Sequence, residues 1–328
     1  MKDLKVEQKP VVESPKPKRE LPSFREVSRK YGAVAVLVAL VIFNSIVTNN
    51  FLDMQTLWNV LLHVSTTVLV SIGMTLVIAT GGIDLSVGAI MAIAAVTTTF
   101  FLHSSMWMMV LGAVVVAAII GLLNGTIISY FRIQPIIVTL AMMIAGRGIA
   151  QIATDGYLVS FDKPSFETIG KGEIGAIPIP VLIMLITALL FYLVVKYTSF
   201  GRYIEAIGDN EKAAQLAGVK VNFVKISVYV IAAVLASFAG IIETSRLAAA
   251  DATNIGQLIE LDAIAAVVVG GTLMTGGRPY IWGTVIGAIL MGLITTTFNM
   301  NDIPHSYSLV LKAAIIIVAV YLQRGNQA

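Results

Sequence analysis

Between residues 31 and 322 the chain alternates long apolar runs with short polar breaks. Ten runs stand out: 31–48, 57–79, 86–102, 106–131, 136–153, 178–197, 226–248, 261–276, 280–299 and 308–322. A helix that crosses a bilayer needs about 20 apolar residues. The pattern therefore predicts an all-α polytopic membrane protein with about ten transmembrane segments. Runs 86–102, 136–153, 261–276 and 308–322 are short and read as half-spans or segments that dip in and out, so the count is eight to ten. The first run is too long for a signal-peptide core and no small-x-small cleavage site follows it, so it should remain as an anchor. Residues 1–30 are polar, mixed in charge and contain Pro10, Pro15, Pro17 and Pro22. That composition reads as a disordered tail. The domain plan is then a tail over 1–30, a membrane domain over 31–324 and a short tail over 325–328.

Charge sets the orientation. Nine of the 22 Lys/Arg precede the first run, which places the N-terminus in the cytoplasm. Threading ten spans from there puts inside the turn at Arg132, the loop 198–225, the turn at Arg278 and a C-terminal tail at Arg324. Loop 198–225 and its edge carry Lys196, Arg202, Lys212, Lys220 and Lys225. The outer loops near 53, 155–175, 251–260 and 302 are mostly acidic, with Lys163 and Lys171 as their cations. Five spans lie on each side of loop 154–177. Both halves have a Gly-rich interruption, at Gly81-Gly82-Ile83-Asp84 and at 270–278. This points to a 5+5 inverted repeat, a common transporter plan.

Composition agrees. Hydrophobic residues make up 57% and charged residues 12% of 328, where a soluble protein carries about 25% charged. There are no cysteines, which rules out a disulfide framework, Cys-ligated zinc and a thiol nucleophile. His63, His103 and His305 have no metal-ligand spacing. The net charge of +3 comes mostly from the tail, so the basic balance reads as membrane orientation and not as nucleic-acid binding. Gly170-Lys171-Gly172 lacks the frame of a phosphate loop. No Ser/His/Asp or His-Glu-x-x-His set is present, so the chain is not expected to be an enzyme or to bind a cofactor of its own.

Three sets of residues carry candidate chemistry. In segment 81–91, Gly81 and Gly82 stop a helix and Asp84 is a strong N-cap for the next. The same break, with Ser86, suits the lining of a polar pathway. Asn124, inside the close-packing pair Gly121/Gly125, is a candidate interhelical hydrogen-bonder; Gly283/Gly287 is a second such pair. In loop 198–225, Asp209 or Asn210 can cap a two-turn helix through Leu216 that Gly218 ends. With Ala213, Ala214 and Leu216 as an apolar face, such a helix fits a groove in a soluble partner, or lies on the membrane surface. The third set is the intramembrane charges Arg147, Glu243, Arg246, Glu260, Asp262 and Lys312. Each needs a partner, water or a role. Glu243 and Arg246, three apart, can pair on one helix face. Arg147, beside Gly146 and Gly148, reads equally as a lock on backbone carbonyls and as a pathway group.

Gly73-Met-Thr-Leu-Val-Ile running into Gly81-Gly-Ile-Asp-Leu-Ser-Val-Gly88 resembles the membrane permease subunits of bacterial monosaccharide ABC importers of the ribose type. Glu205-Ala-Ile-Gly-Asp-Asn-Glu-Lys-Ala-Ala214 with Leu216-Ala-Gly-Val219, and Ala239-Gly-Ile-Ile-Glu243 with Glu260 through Gly271, are similar to the same family. The likeness spans about 31–324. It implies two permease copies, as a homodimer or a sister-chain heterodimer. It further implies separate ATP-binding subunits that hold ATP and Mg, a periplasmic or lipid-anchored sugar-binding protein, and a multi-pass place in the bacterial inner membrane. In that scheme Glu205, Gly208, Asp209, Asn210, Ala213, Ala214, Leu216 and Gly218 form the segment coupled to the ATP-binding subunit. The family usually has Gly where this chain has Asp209, so the extra charge acts as cap or partner contact. Gly81, Gly82, Asp84, Ser86, Asn124, Arg147, Glu243 and Asp262 are the pathway or gate candidates, with Asp84 as the structural centre of the gate. Residues 243–247 look like ribose permeases, whereas 145–151 with 159–161 look like a galactofuranose-type permease. The alternative is an ion-coupled secondary sugar transporter, for which Asp84 and Asp262 are the available midplane carboxylates.

Overall fold

The computed structural model describes residues 24–324. Ten helices answer the ten apolar runs: α1 (Phe24–Val47), α2 (Met54–Ala79), α3 (Val87–Thr99), α4 (Met106–Tyr130), α5 (Pro135–Ile152), α7 (Ile179–Tyr197), α9 (Val221–Leu247), α10 (Ile259–Val269), α11 (Ile281–Met300) and α12 (His305–Arg324). Two more lie outside the runs, α6 (Pro164–Lys171) and α8 (Ser199–Leu216). Four two-residue strands form two antiparallel pairs, β1 (Val159–Ser160) with β4 (Ala249–Ala250) and β2 (Glu173–Ile174) with β3 (Ile177–Pro178).

Several limits differ from the apolar runs. Helix α1 begins at Phe24, inside the stretch read as tail; residues 1–23 and 325–328 lie outside the described residues. Helix α9 begins at Val221, five residues before its apolar run, taking in the polar residues Asn222 and Lys225. Run 261–276 is helical only to Val269, after which the glycines take over. Helices α3 and α10 have 13 and 11 residues, about 20 and 16 Å long, against a hydrocarbon core of about 30 Å. Six of the described helices are long and apolar enough to cross a membrane.

The bundle has a dry centre and a greasy rim. Helix α2 is buried all round from Val64 to Ala79, as expected of a helix that is apolar on every face. It packs with α9, α11, α10 and α7. Helices α4, α5 and α7 show broad apolar faces, including Leu111, Ile119, Ile144, Ile186 and Leu190. Their exposed apolar side chains are what a lipid solvent asks for.

Glycines seat the crossings. A methyl group added to Gly121 would fall 2.8 Å from Val230 Cα, one on Gly125 2.8 Å from Ile226 Cα, and one on Gly73 2.8 Å from Ala232 Cα. Thus α9 is gripped by α2 and α4 at backbone distance. Gly283 and Gly287 do the same for α10, against Gly270 and Ala266. Overpacking such a seam costs about 1–3 kcal/mol. Gly121→Val is therefore expected to lower the melting temperature of the detergent-solubilised protein. Gly148→Ala, at a site with no neighbour within 4 Å, should leave it unchanged.

Contacts sort the turns into two groups. At one end Gly277 N–H donates to Ala79 O (2.9 Å), Gly208 touches both, and Thr139 Oγ1 donates to Ile83 O (3.2 Å). At the other, Asn301 Nδ2 donates to Thr48 Oγ1 (2.9 Å), Lys163 Nζ to the carbonyls of Leu102 and Ser104, and β1 pairs with β4.

Candidate functional site

The break between α2 and α3 starts where Gly81 turns the chain at φ +79, a conformation that costs glycine little. Ser86 donates to Asp84 Oδ1 from both its N–H (2.9 Å) and its hydroxyl (2.6 Å). Asp84 is thus not the N-cap of α3 but the head of a turn that orients Ser86, which occupies the cap position without a side-chain cap bond. The reason is the two-residue separation. An Asp capping a helix must sit directly before its first turn, and Leu85 and Ser86 stand between. Asn124 Nδ2 donates to Ser86 Oγ (3.0 Å) and so fastens the break to α4. Asp84, Ser86 and Asn124 are all buried to 1% or less. Gly82 faces Tyr229, whose Oη lies 2.5 Å from where a Cβ on Gly82 would stand. Asp84 Oδ2, Asn124 Oδ1 and Tyr229 Oη are buried and make no hydrogen bond.

Arg147 grips loop 251–258. Its Nη1 donates to Ile255 O (2.7 Å), Ala252 O (3.0 Å) and, more distantly, Thr253 O (3.5 Å). This is the carbonyl lock that its flanking glycines allowed. Glu243 lies near Gly256 of the same loop. Within the loop, Asp251 Oδ1 receives the N–H groups of Thr253 (2.9 Å) and Asn254 (3.0 Å), and Asn254 Nδ2 donates to Oδ2 (2.8 Å). Burial pushes the Asp251 carboxyl up, but these bonds from Asn254 and Thr253 outweigh it and hold it below its ordinary range. The expected Glu243–Arg246 pair does not form. The ion pairs among the described residues are Lys171–Glu167, Lys225–Glu211 and Lys312–Asp262. Asp262 is held by Lys312 Nζ at 2.8 Å from both oxygens, so it is a bridging group between α10 and α12. Among the described residues no cluster of His, Asp or Glu could hold a metal ion.

Helix α8 is two helices in one. Asn210 leaves the helical region (φ −159, ψ 101), and its Oδ1 accepts Ala213 N–H (3.0 Å). Asn210, and not Asp209, caps the second half. Asp209 Oδ1 instead lies 2.9 Å from where a Cβ on Gly277 would stand. The second half ends on Gly218 at φ +87, with Gly218 N–H donating to Gln215 O (3.0 Å) and Val219 N–H to Ala214 O (3.1 Å). That is the two-bond C-cap in which a left-handed glycine follows the helix. Ala214 is buried, whereas Leu216 is 90% exposed amid exposed Asp209, Asn210, Glu211, Lys212, Ala213 and Gln215. Glu205 is half-buried on the first half. Gly208 is the point of contact with the bundle, where a methyl would stand 2.0 Å from Ala79 O and 2.1 Å from Gly277 N.

The structure therefore gathers Gly82, Asp84, Ser86 and Asn124 in one buried cluster with Gly81 exposed at its edge, and brings Arg147 and Glu243 to a separate loop. Asp262 stands alone with Lys312. Sequence reasoning passed over Tyr229 and Thr139, whose signal was a lone hydroxyl inside an apolar run. It also passed over the junction of Gly208 with Ala79 and Gly277, which has no local signal.

A family model described as "Branched-chain amino acid transport system / permease component" matches residues 56–320. The chain is 41% identical over 257 residues to the galactofuranose transporter permease protein of Escherichia coli K12, covering 78% of this chain and 75% of that one. It is 39% identical over 301 residues to the ribose import permease protein of the same strain, covering 90% and 92%. It is also 39% identical over 315 residues to the ribose import permease protein of Bacillus subtilis 168, covering 93% and 96%.

Proposed function

The chain belongs to the family described as branched-chain amino acid transport system permease components, and from that premise we propose that it forms the membrane pathway of a monosaccharide importer. It is a multi-pass inner-membrane permease subunit of an ABC importer and performs no catalysis itself. Ribose and galactofuranose, named for its relatives, are the sugars proposed for it. ATP and Mg would reside on the partner ATP-binding subunits, and a periplasmic or lipid-anchored binding protein would deliver the sugar. A second permease copy, identical or sister, would complete the pathway.

One observation carries the coupling assignment. Leu216 stands 90% exposed on a short helix that is capped at both ends, by Asn210 and Gly218. Such a knob suits a hydrophobic groove on a soluble subunit. When ATP closes the two ATP-binding subunits, α8 moves with them and the junction at Gly208 carries the motion to the breaks after α2 and α10. The permease then opens toward the loaded binding protein, a shift between two pre-existing states.

The proposed threading has ten crossings with both termini cytoplasmic. The two groups of turns support it, since those near Ala79 and Gly277 lie with α8, and those near Thr48, Leu102, Lys163 and Ala249 lie opposite. Helices α3 and α10 would each cross by half, with irregular backbone completing the path inside the protein, the one place where lipid tolerates it. They also support a 5+5 inverted repeat, each being the third span of its half. In that scheme the counterpart of the 80–86 break is not the 270–278 stretch, which follows α10. It is the segment 248–258, which precedes α10 and contains a turn of the same kind, Asp251 Oδ1 receiving the N–H two residues on.

Purification through a tag on this chain tests the assignment. An ATP-binding subunit should co-purify in mild detergent, and Leu216→Asp should lose it while keeping the permease's melting temperature. Recovery of the chain alone, with sugar uptake that needs no ATP, would replace the importer by the ion-coupled transporter.

A further inference from the structure

Around Asp84 three buried polar atoms are unpaired: Asp84 Oδ2, Asn124 Oδ1 and, against Gly82, Tyr229 Oη. Ser86 has a single hydroxyl hydrogen, and it is given to Asp84 Oδ1. The Ser86 oxygen in turn accepts Asn124 Nδ2–H. What remains is Asp84 Oδ2 and Asn124 Oδ1, attached one on each side of the same hydroxyl. Both are acceptors, both are buried, and neither has a donor. Two such orphans in one pocket cost more than a made bond returns. No cation relieves them, because none of the ion pairs among the described residues involves Asp84. Arg132 and Arg278, in the neighbouring turns, are exposed. The groups facing the break from the packed elements are Asn124 on α4, Thr139 on α5, which donates to Ile83 O, and Tyr229 on α9.

We propose that Asp84 carries a proton on Oδ2, which donates to Asn124 Oδ1 and closes a three-residue ring of Asp84, Ser86 and Asn124. In this ring every member both gives and receives. Asp84 accepts from Ser86 and gives to Asn124, Asn124 gives to Ser86, and Ser86 gives to Asp84. A carboxylic acid is also the form a low-dielectric interior favours, since a naked carboxylate there is costly unless paired. The consequence for the molecule is that the α2–α3 break is welded to α4 as a neutral unit. It passes through the transport cycle without exposing or burying a charge. The ring is independent of which sugar the permease carries.

Infrared spectroscopy of the full-length protein in lipid tests it. Wild type minus Asp84→Asn should show the carbonyl stretch of a protonated carboxylic acid, present alike in mildly acidic and mildly alkaline buffer. Asp84→Asn keeps a donor and an acceptor in place, so its melting temperature should match wild type. If that variant fails to fold, Asn124→Leu serves alone. Removing the acceptor should move the acid band to higher frequency, as expected of a freed carbonyl group. Loss of carboxylate bands in the Asp84→Asn difference would overturn the proposal and leave Asp84 anionic, with Tyr229 or a bound cation as its partner. An acid band unmoved by Asn124→Leu would overturn the ring.

Discussion

A Gly208→Val permease is expected to assemble with its ATP-binding subunits and hydrolyse ATP, yet to lose nearly all sugar uptake. The reason is geometric. The first carbon of any side chain at 208 would stand 2.0 Å from Ala79 O and 2.1 Å from Gly277 N. These two atoms are joined by a 2.9 Å hydrogen bond, so the side chain must part them. Overpacking costs about 1–3 kcal/mol and a lost backbone bond about 1 kcal/mol more. A protein with about 5–15 kcal/mol to lose survives that. What does not survive is the close seating of α8 on the ends of α2 and the 270–280 turn. Uptake and ATP hydrolysis measured side by side in proteoliposomes separate the two. Wild-type uptake by a folded Gly208→Val protein would mean that motion reaches the bundle by another route.

The second large effect is on stability. Lys312→Met should destabilise the protein, by less than the roughly 3–5 kcal/mol lost when one charge of a fully buried pair loses its partner, because the Asp262 side chain is 28% exposed. Lys312 is 5% exposed, and both Asp262 oxygens rely on it. The position of Asp262 in the first turn of α10 offsets part of this, since a helix N-terminus favours a carboxylate. Lys312→Met combined with Asp262→Leu should recover most of the loss, because an apolar pair of similar volume replaces an ion pair at little cost. Thermal unfolding of the four proteins of the double-mutant cycle gives the coupling directly. Uptake by the doubly substituted protein adds a second reading. An importer driven from outside the membrane keeps its transport, and an ion-coupled carrier that used Asp262 loses it.

Much of this architecture is written along the chain, because lipid selects for apolar length and apolar length is a one-dimensional property. The ten runs became ten helices for that reason, and Gly218 ended α8 because a left-handed C-cap is a local demand. Residues whose partners are distant were less legible. Arg147 announced a lock through its flanking glycines but not the carbonyls of Ala252 and Ile255, more than a hundred positions on. Glu243 and Arg246 had the right spacing to pair, yet they are not among the ion pairs of the described residues. Asp84 had the composition of a cap and the wrong distance to its helix, a matter of two residues that pattern alone does not resolve. The meeting of Ala79, Gly208 and Gly277 has no sequence signature, since glycine at a crossing and glycine in a turn look the same.

Loop 251–258 is shaped by what grips its backbone. Arg147 holds the carbonyl oxygens of Ala252 and Ile255, and every amino acid supplies that group alike. The exposed side chains of Thr253 and Gln257 are therefore uncommitted to the loop's own form. Substitution there can change the chemistry presented at the far end of the bundle from α8 without asking the chain to refold.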